Sequence, residues 1–249
     1  MRARGILALV AGAILLMGVP VYQALVLAPR GYLAVAASIA AGADFGRYLL
    51  WAGMHTGADV GFRIVELSAF ALAASLPGPL RRILWPDDPQ GGRRAMLAGQ
   101  AGFLLFAAVL VAGIVIVSSA AHAYVADPAH RAATQSSYKS LFAVETLLAK
   151  VLAGALIALS LALLSTRGLA AGRLPVWFAY LGLVAAGLLG TTALLALLDL
   201  TRSSTPTDTF AFSMLAIWLL ALGVLLVRIQ SRPRQASASA VSEAAEPPR

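Results

Sequence analysis

The chain has 249 residues, of which 60% are hydrophobic and 12% are charged, and its formal net charge is +8. A soluble domain carries charge at about 25% of its positions, so this composition excludes an ordinary globular protein. The absence of cysteine excludes disulfides, thiolate metal sites and thiol nucleophiles. The basic residues lie in short segments between apolar runs, which argues against nucleic acid as a partner. We predict an all-α, polytopic transmembrane helical bundle that contacts the lipid bilayer.

Apolar runs long enough to cross a bilayer recur along the chain. The first follows Arg2 and Arg4, and its length favours a retained span over a signal peptide. The second run is the longest and the most polar. We predict spans at Gly5–Leu27, Gly46–Leu76, Ala95–Ala120, Ser140–Ser165, Pro175–Leu198 and Phe210–Val227. These six spans make residues 1–230 a transmembrane domain, and the Ser-, Ala-, Pro- and Glu-rich residues 231–249 are predicted to be a disordered cytoplasmic tail.

The charges of the loops predict the orientation of the bundle in the membrane. Twelve arginines fall in the two tails and in the second and fourth loops, whereas five basic residues fall on the opposite side. Basic segments are retained on the cytoplasmic side of a membrane. We therefore expect both termini in the cytoplasm and a multi-pass protein of the cytoplasmic membrane.

Four ionisable residues occur at helical spacing within the second span, namely His55, Asp59, Arg63 and Glu66. At about 100° per residue they occupy an arc of about 80° on one helix face. A charge at the centre of a bilayer costs roughly 2.5–3.5 kcal/mol on insertion scales, so these side chains need partners or water. This stripe is the strongest indication of function in the sequence.

The fourth span adds Glu145 and Lys150, which are separated by about 140° around an ideal helix and should face different neighbours. Two sets of charge pairs are consistent with the pattern: Lys150 with Asp59, and Arg63 with either Glu66 or Glu145. We interpret Asp59, Glu145 and Lys150 as candidate substrate or relay residues. We interpret Arg63 and Glu66 as structural ion-pair residues that fix helix packing.

A second candidate set consists of soft metal donors. His55, Met54 and His122 are predicted near the outer ends of their spans, and imidazole with thioether suits Cu(I). The alternative is that Met54 fills space between helices and that the histidines are hydrogen-bonded packing residues. Copper is thus a candidate cofactor or cargo, and no other cofactor is indicated. Asp208, after Pro206, is interpreted as a capping residue of the sixth span.

Part of the chain resembles the CopD-like family of bacterial copper-resistance membrane proteins. The resemblance covers about 120 residues, from His55 to Pro175, with Asp59-Val-Gly-Phe-Arg63 in place of the family's Trp-x-Gly-Gly. The stretches that carry it are Arg93-Arg94 through Val111-Ala-Gly-Ile, Tyr138-Lys-Ser-Leu-Phe followed by Leu147-Leu-Ala-Lys150, and Arg167 through Leu174-Pro175. The resemblance implies copper movement or tolerance across the bacterial inner membrane, with His55 as a candidate ligand and Lys150 as a family-type position.

Three functions are compatible with these residues. The first is handling or transport of a small cation, with copper as one candidate, through an outer-facing polar pocket between the second and fourth spans. The second is a non-catalytic accessory subunit that docks its charge stripe against other membrane subunits. The third is an integral-membrane enzyme that uses His55 and Asp59 as base and orienting group, but no nucleophile of recognised spacing accompanies them. We favour the first and do not expect an enzyme.

Overall fold

The computed structural model describes residues 2–40, 44–85, 89–199 and 206–231, and this part of the chain is helical with no β-strand. The first helix of the chain contains two π-helical segments, Ile14–Gly18 and Gln23–Leu27. The helices are α1 (Arg2–Arg30), α2 (Tyr32–Ala40), α3 (Phe45–Met54), α4 (Thr56–Ala73), α5 (Pro77–Leu84), α6 (Pro89–Ala126), α7 (Pro128–Ala170), α8 (Val176–Leu198) and α9 (Pro206–Ser231). Most of the predicted tail, from residue 232 onward, lies outside the described residues.

Five of these helices are long and apolar enough to cross a membrane, namely α1, α6, α7, α8 and α9. The prediction of an all-helical, multi-pass membrane protein is confirmed at this level. The second predicted span, Gly46–Leu76, is interrupted, because α3 and α4 meet at His55. The fourth predicted span also begins earlier than expected, since the polar residues before Ser140 continue the same helix back to Pro128.

Six helices form a closed ring in the order α1, α4, α6, α7, α8, α9 and back to α1. Several neighbours approach closely because glycine leaves room for the opposing backbone. A Cβ at Gly12 would lie 2.8 Å from the carbonyl oxygen of Ala216, and one at Gly102 would lie 3.0 Å from that of Ala153. Small residues at helix crossings are the usual way in which helices pack within lipid.

The bundle has two hydrophobic cores. The first fills the ring and includes Phe70, Phe106, Leu161 and Leu222. The second, which we call the cap, joins α2 and α3 to the C-terminal parts of α1 and α6 and to the N-terminal part of α7. Its buried residues are Leu27, Val35, Ile39, Phe45, Tyr48, Leu49, Trp51, Ala52, Val117, Ala121 and Tyr138.

The two ends of the ring differ in charge. Gly5 of α1 packs against Gly223 and Val227 of α9, so these two helices run antiparallel. The same alternation along the ring brings together, at the end opposite the cap, the residues Arg2, Arg4, Arg93, Arg94, Arg167, Arg173 and Arg228. We call this the arginine end. Arg4 there donates a hydrogen bond to the carbonyl oxygen of Ser75, at 3.4 Å.

Candidate functional site: a charged cavity between the ring and the cap

A sharp bend at His55 sets up the site. The backbone of His55 leaves the helical region (φ −128°, ψ 35°), and its carbonyl accepts the first hydrogen bonds of α4 from the N–H groups of Ala58 and Asp59. In a straight helix Tyr48 and Asp59 would lie roughly 16 Å apart along the axis. Instead, the Tyr48 hydroxyl donates to Asp59 Oδ1 at 2.9 Å. The bend therefore folds α3 back towards the first turns of α4.

Arg63 is the centre of a buried charge network. Its Nε lies 3.3 Å from Asp59 Oδ2, and its Nη1 lies 2.9 Å from Glu145 Oε1 on α7. Its Nη2 also lies 3.5 Å from the Tyr48 hydroxyl oxygen. The side chain of Arg63 is only 11% exposed. One guanidinium thus joins α3, α4 and α7, which the planar fork of arginine can do and a lysine ammonium cannot do equally well.

Gly113 of α6 makes room for this network. A Cβ at this position would collide with Arg63 Nη1 and would lie 2.8 Å from Glu145 Oε1. The Arg63–Glu145 pair therefore lies directly on the backbone of α6, where any side chain at position 113 would displace it. Sequence reasoning did not single out Gly113 for this role, because a glycine in an apolar helix carries no signal that distinguishes it from ordinary small-residue packing.

A second ion pair joins α7 to α9. Lys150 Nζ lies 2.9 Å from Asp208 Oδ2, and both side chains are mostly buried. Lys150 lies within a π-helical segment of α7, Leu147–Ala153. A π-helix is wound more loosely than an α-helix, so this segment reduces the angular separation expected between Glu145 and Lys150. Asp208 lies in the first turn of α9, where the helix dipole favours a carboxylate.

Both charge groups line one cavity of about 510 Å³ between the ring and the cap. Helices of the ring and of the cap contribute to its wall. Its ionisable carboxyl and basic side chains are Asp59, Arg63, Glu66, Glu145, Lys150 and Asp208. Four carboxyl groups thus face two basic groups, a formal excess of two negative charges when all are ionised.

Several acceptor groups of this cavity are not engaged by other side chains. Within the described part of the chain, Glu66 makes no hydrogen bond or ion pair. Glu145 Oε2 and the Tyr138 hydroxyl oxygen are buried and also have no hydrogen-bond partner there. By contrast, both carboxylate oxygens of Asp59 are occupied, one by Tyr48 and one by Arg63. The unengaged carboxyl oxygens of the cavity are therefore those of Glu66 and Oε2 of Glu145, and the buried Tyr138 hydroxyl is a further unengaged group of the wall.

The structure shows which of the charged residues named from the sequence line the cavity and which of them form ion pairs. The candidate substrate or relay residues Asp59, Glu145 and Lys150 all line the cavity. Arg63 pairs with Glu145 and with Asp59, so of the two alternatives for Arg63 the structure forms the pair with Glu145 and none with Glu66. The reason is geometric, since Nη1 of Arg63 points across Gly113 to α7.

The expected pairing of Lys150 with Asp59 is wrong. Asp59 is held near the cap by Tyr48 and Arg63, whereas Lys150 lies level with the first turn of α9 and pairs with Asp208. The interpretation of Asp208 as a simple capping residue missed this ion pair, because the two residues are far apart in sequence.

The candidate metal donors do not line this cavity. Met54 is 62% exposed, His122 is exposed on α6, and the ring of His55 packs against Trp51 with centroids 5.5 Å apart. No group of three or more His, Asp or Glu side chains in the described ranges is arranged to hold a metal ion. The bend separates His55 from the rest of the stripe, because it places that residue between two helices rather than on the face of one.

Tyr48 and Tyr138 are residues of the candidate site that sequence reasoning did not place there. The hydroxyl of Tyr48 is part of the Arg63 network. Tyr138 is 1% exposed, and its ring packs against Tyr48 with centroids 5.9 Å apart. Only the bend at His55 and the fold of the cap bring these rings to the charges.

The fold and the site together indicate a multi-pass helical membrane protein with a charged, partly open cavity. Comparison of the chain with protein-family models, with curated proteins and with solved structures gives no match. The functional argument therefore depends on the geometry of the cavity.

Proposed function

We propose that this protein binds a small cation in the cavity between the ring and the cap and moves it across the membrane. The observation that carries the proposal is the excess of carboxyl groups over basic groups in a cavity bounded by apolar helices. Ionisable groups are costly in such surroundings and are typical of substrate or ion pathways. A bound cation would offset the excess negative charge.

The proposal includes an arrangement in the membrane. The helix α4, which has 18 residues of which three are charged, is the sixth span. The arginine end faces the cytoplasm because basic segments are retained there. The cavity lies towards the opposite end of the ring, below the cap. It would then receive its cation from the outer side.

The two basic residues would act as internal substitutes for the cation. Arg63 binds Glu145 and Lys150 binds Asp208. An incoming cation would compete with Arg63 for Glu145, while Glu66 already has no ion pair to exchange. This exchange keeps Glu145 paired with a cation at each stage, which avoids leaving its buried charge uncompensated.

The cavity favours cations that prefer oxygen or that donate hydrogen bonds. Its unengaged acceptors are carboxylate and phenol oxygens, whereas Cu(I) prefers sulfur and imidazole. A copper cargo, as the CopD-like resemblance implies, would need His55, Met54 and His122, which lie outside the cavity wall. We therefore propose that the main cargo is a cation other than copper.

Charge movement in proteoliposomes tests the proposal. The full chain, reconstituted and placed on a solid-supported membrane, is challenged with jumps of Na⁺, Ca²⁺, Cu⁺ or benzylammonium at constant anion concentration. We expect a transient current with at least one cation, and its loss in the double variant Glu66→Gln/Glu145→Gln. The control Asp127→Asn changes an exposed acid outside the cavity and should keep the current. Currents no larger than those of empty liposomes for all four cations would refute the proposal.

A further inference from the structure

We infer that the cation is an organic ammonium with an apolar body, rather than a metal ion; this inference rests on the proposed function and names its substrate class. The first observation is size. The cavity of about 510 Å³ falls within the range of about 300–1,000 Å³ that small-molecule sites occupy. A dehydrated metal ion would fill only a small part of this space.

The second observation is the number of free acceptors. Calcium takes 6–8 oxygen ligands at about 2.3–2.6 Å. The unengaged carboxyl oxygens of the wall are only the two of Glu66 and Oε2 of Glu145, so a calcium shell would need the Tyr138 hydroxyl and neutral groups such as Thr146, Thr209 and Ser213 to complete it. A primary ammonium has three donors and needs one acceptor for each. The unengaged oxygens of Glu66, Glu145 and Tyr138 match that requirement.

The third observation is an aromatic cluster one helical turn from Glu66. Phe70 follows Glu66 by four residues and therefore lies on the same face of α4. Phe70 stacks on Phe106 with centroids 4.0 Å apart, and Phe212 packs edge-on against both rings, at 6.1 Å and 5.7 Å. All three rings line the cavity. Phe70 and Phe106 are 2% and 9% exposed, so Phe212 offers most of the apolar surface for the body of a ligand whose charged head is bound at Glu66.

Carboxylates beside aromatic rings are typical of sites that bind organic cations. A ring face attracts a cation, and the apolar body gains from burial as well. A metal ion with its hydration shell gains nothing from Phe70, Phe106 and Phe212. The aromatic wall therefore favours an ammonium compound over an inorganic cation of the same charge.

Binding of radiolabelled benzylammonium to the full chain in nanodiscs tests this inference, with empty nanodiscs as background. Benzyl alcohol has the same carbon skeleton and a neutral head, so it is the matched competitor. We expect saturable binding that unlabelled benzylammonium displaces at a concentration at least tenfold lower than benzyl alcohol does. Glu66→Gln should weaken binding at least tenfold, because it removes the charge that pairs with the ammonium. Tyr138→Phe should weaken it about threefold, and Asp127→Asn should leave it unchanged.

The outcomes separate the inference from the proposed function. Equal displacement by benzyl alcohol and benzylammonium, or unchanged affinity in both Glu66→Gln and Tyr138→Phe, would overturn the inference. Saturable binding of ⁴⁵Ca²⁺ or Cu⁺ without binding of benzylammonium would overturn the substrate class but keep a cation as the ligand. Absence of binding for all three probes would overturn both. If Glu66→Gln fails to fold, Tyr138→Phe still measures the contact with the ammonium head.

Discussion

The two basic residues of the cavity occupy regions with different charge balances. Arg63 lies where the cap meets the ring and binds two carboxylates, Asp59 and Glu145, with the unengaged Glu66 on the same helix. Lys150 lies deeper in the ring and pairs with Asp208. The excess of acid is thus concentrated around Arg63. Under the proposed function, we expect the cation to bind near Arg63 and Glu66, whereas the Lys150–Asp208 pair joins two helices of the ring.

The largest effect is expected for Arg63→Met, which leaves two buried carboxylates without their common cation. Removing one partner from a buried ion pair costs about 3–5 kcal/mol. We expect a fall of that size in the free energy of unfolding, measured by denaturant titration in micelles. Arg63→Lys should retain part of the stability, because it keeps the charge but not the fork. An unchanged unfolding free energy in Arg63→Met would show that the network is not formed.

The second-largest effect on stability is expected for the Lys150–Asp208 pair. Lys150→Met should lower the free energy of unfolding by about 2–3 kcal/mol, because Asp208 loses the cation that neutralises it. The double variant Lys150→Met/Asp208→Asn should recover to within about 1 kcal/mol of the wild type, since it leaves no unpaired charge. If the loss in the double variant instead equals the sum of the losses in Lys150→Met and Asp208→Asn, the two residues do not interact.

Gly113→Ala should give the third effect. The added methyl group displaces Arg63 Nη1 and Glu145 Oε1, and such overpacking costs about 1–3 kcal/mol. Gly187→Ala is the matched control, because nothing lies within 4 Å of a Cβ at that position of α8. The control should be neutral or slightly stabilising, since alanine favours a helix. Equal changes in the unfolding free energy of the two variants would remove the role assigned to Gly113.

Glu66→Gln should have the smallest effect on stability and a large effect on binding. Glu66 makes no ion pair in the described structure, so its replacement should change the free energy of unfolding by less than about 1 kcal/mol. The same variant should lose the cation. Thermal unfolding and the nanodisc binding assay measure the two properties on one preparation, and a strongly destabilised variant would indicate a structural role for Glu66.

The sequence predicts much of this molecule at the level of helices and charges. Hydropathy predicts the multi-pass bundle, and helical spacing identifies Asp59, Arg63 and Glu66 as one stripe, because both signals are local. Glu145 and Lys150 stand out for the same reason, as charges within an apolar run. These are the residues that line the cavity.

The parts that the sequence does not predict depend on tertiary contacts. The bend occurs at His55, which is neither glycine nor proline, and the Tyr48–Asp59 hydrogen bond shows how the folded chain uses it. The π-helical segment around Lys150 has no signature in composition. The Lys150–Asp208 pair likewise joins residues far apart in sequence, so no local pattern predicts it.

Protection of Glu66 from a hydrophobic carbodiimide is the most direct test of a cation beside this residue. The full chain in nanodiscs is treated with dicyclohexylcarbodiimide, and the modified carboxyl groups are identified by mass spectrometry with and without saturating benzylammonium, or the cation that gives the largest current. We predict that Glu66 is modified, that the cation slows this modification severalfold, and that modification of Asp127 is unaffected. Equal rates of Glu66 modification with and without every cation tested would contradict the account.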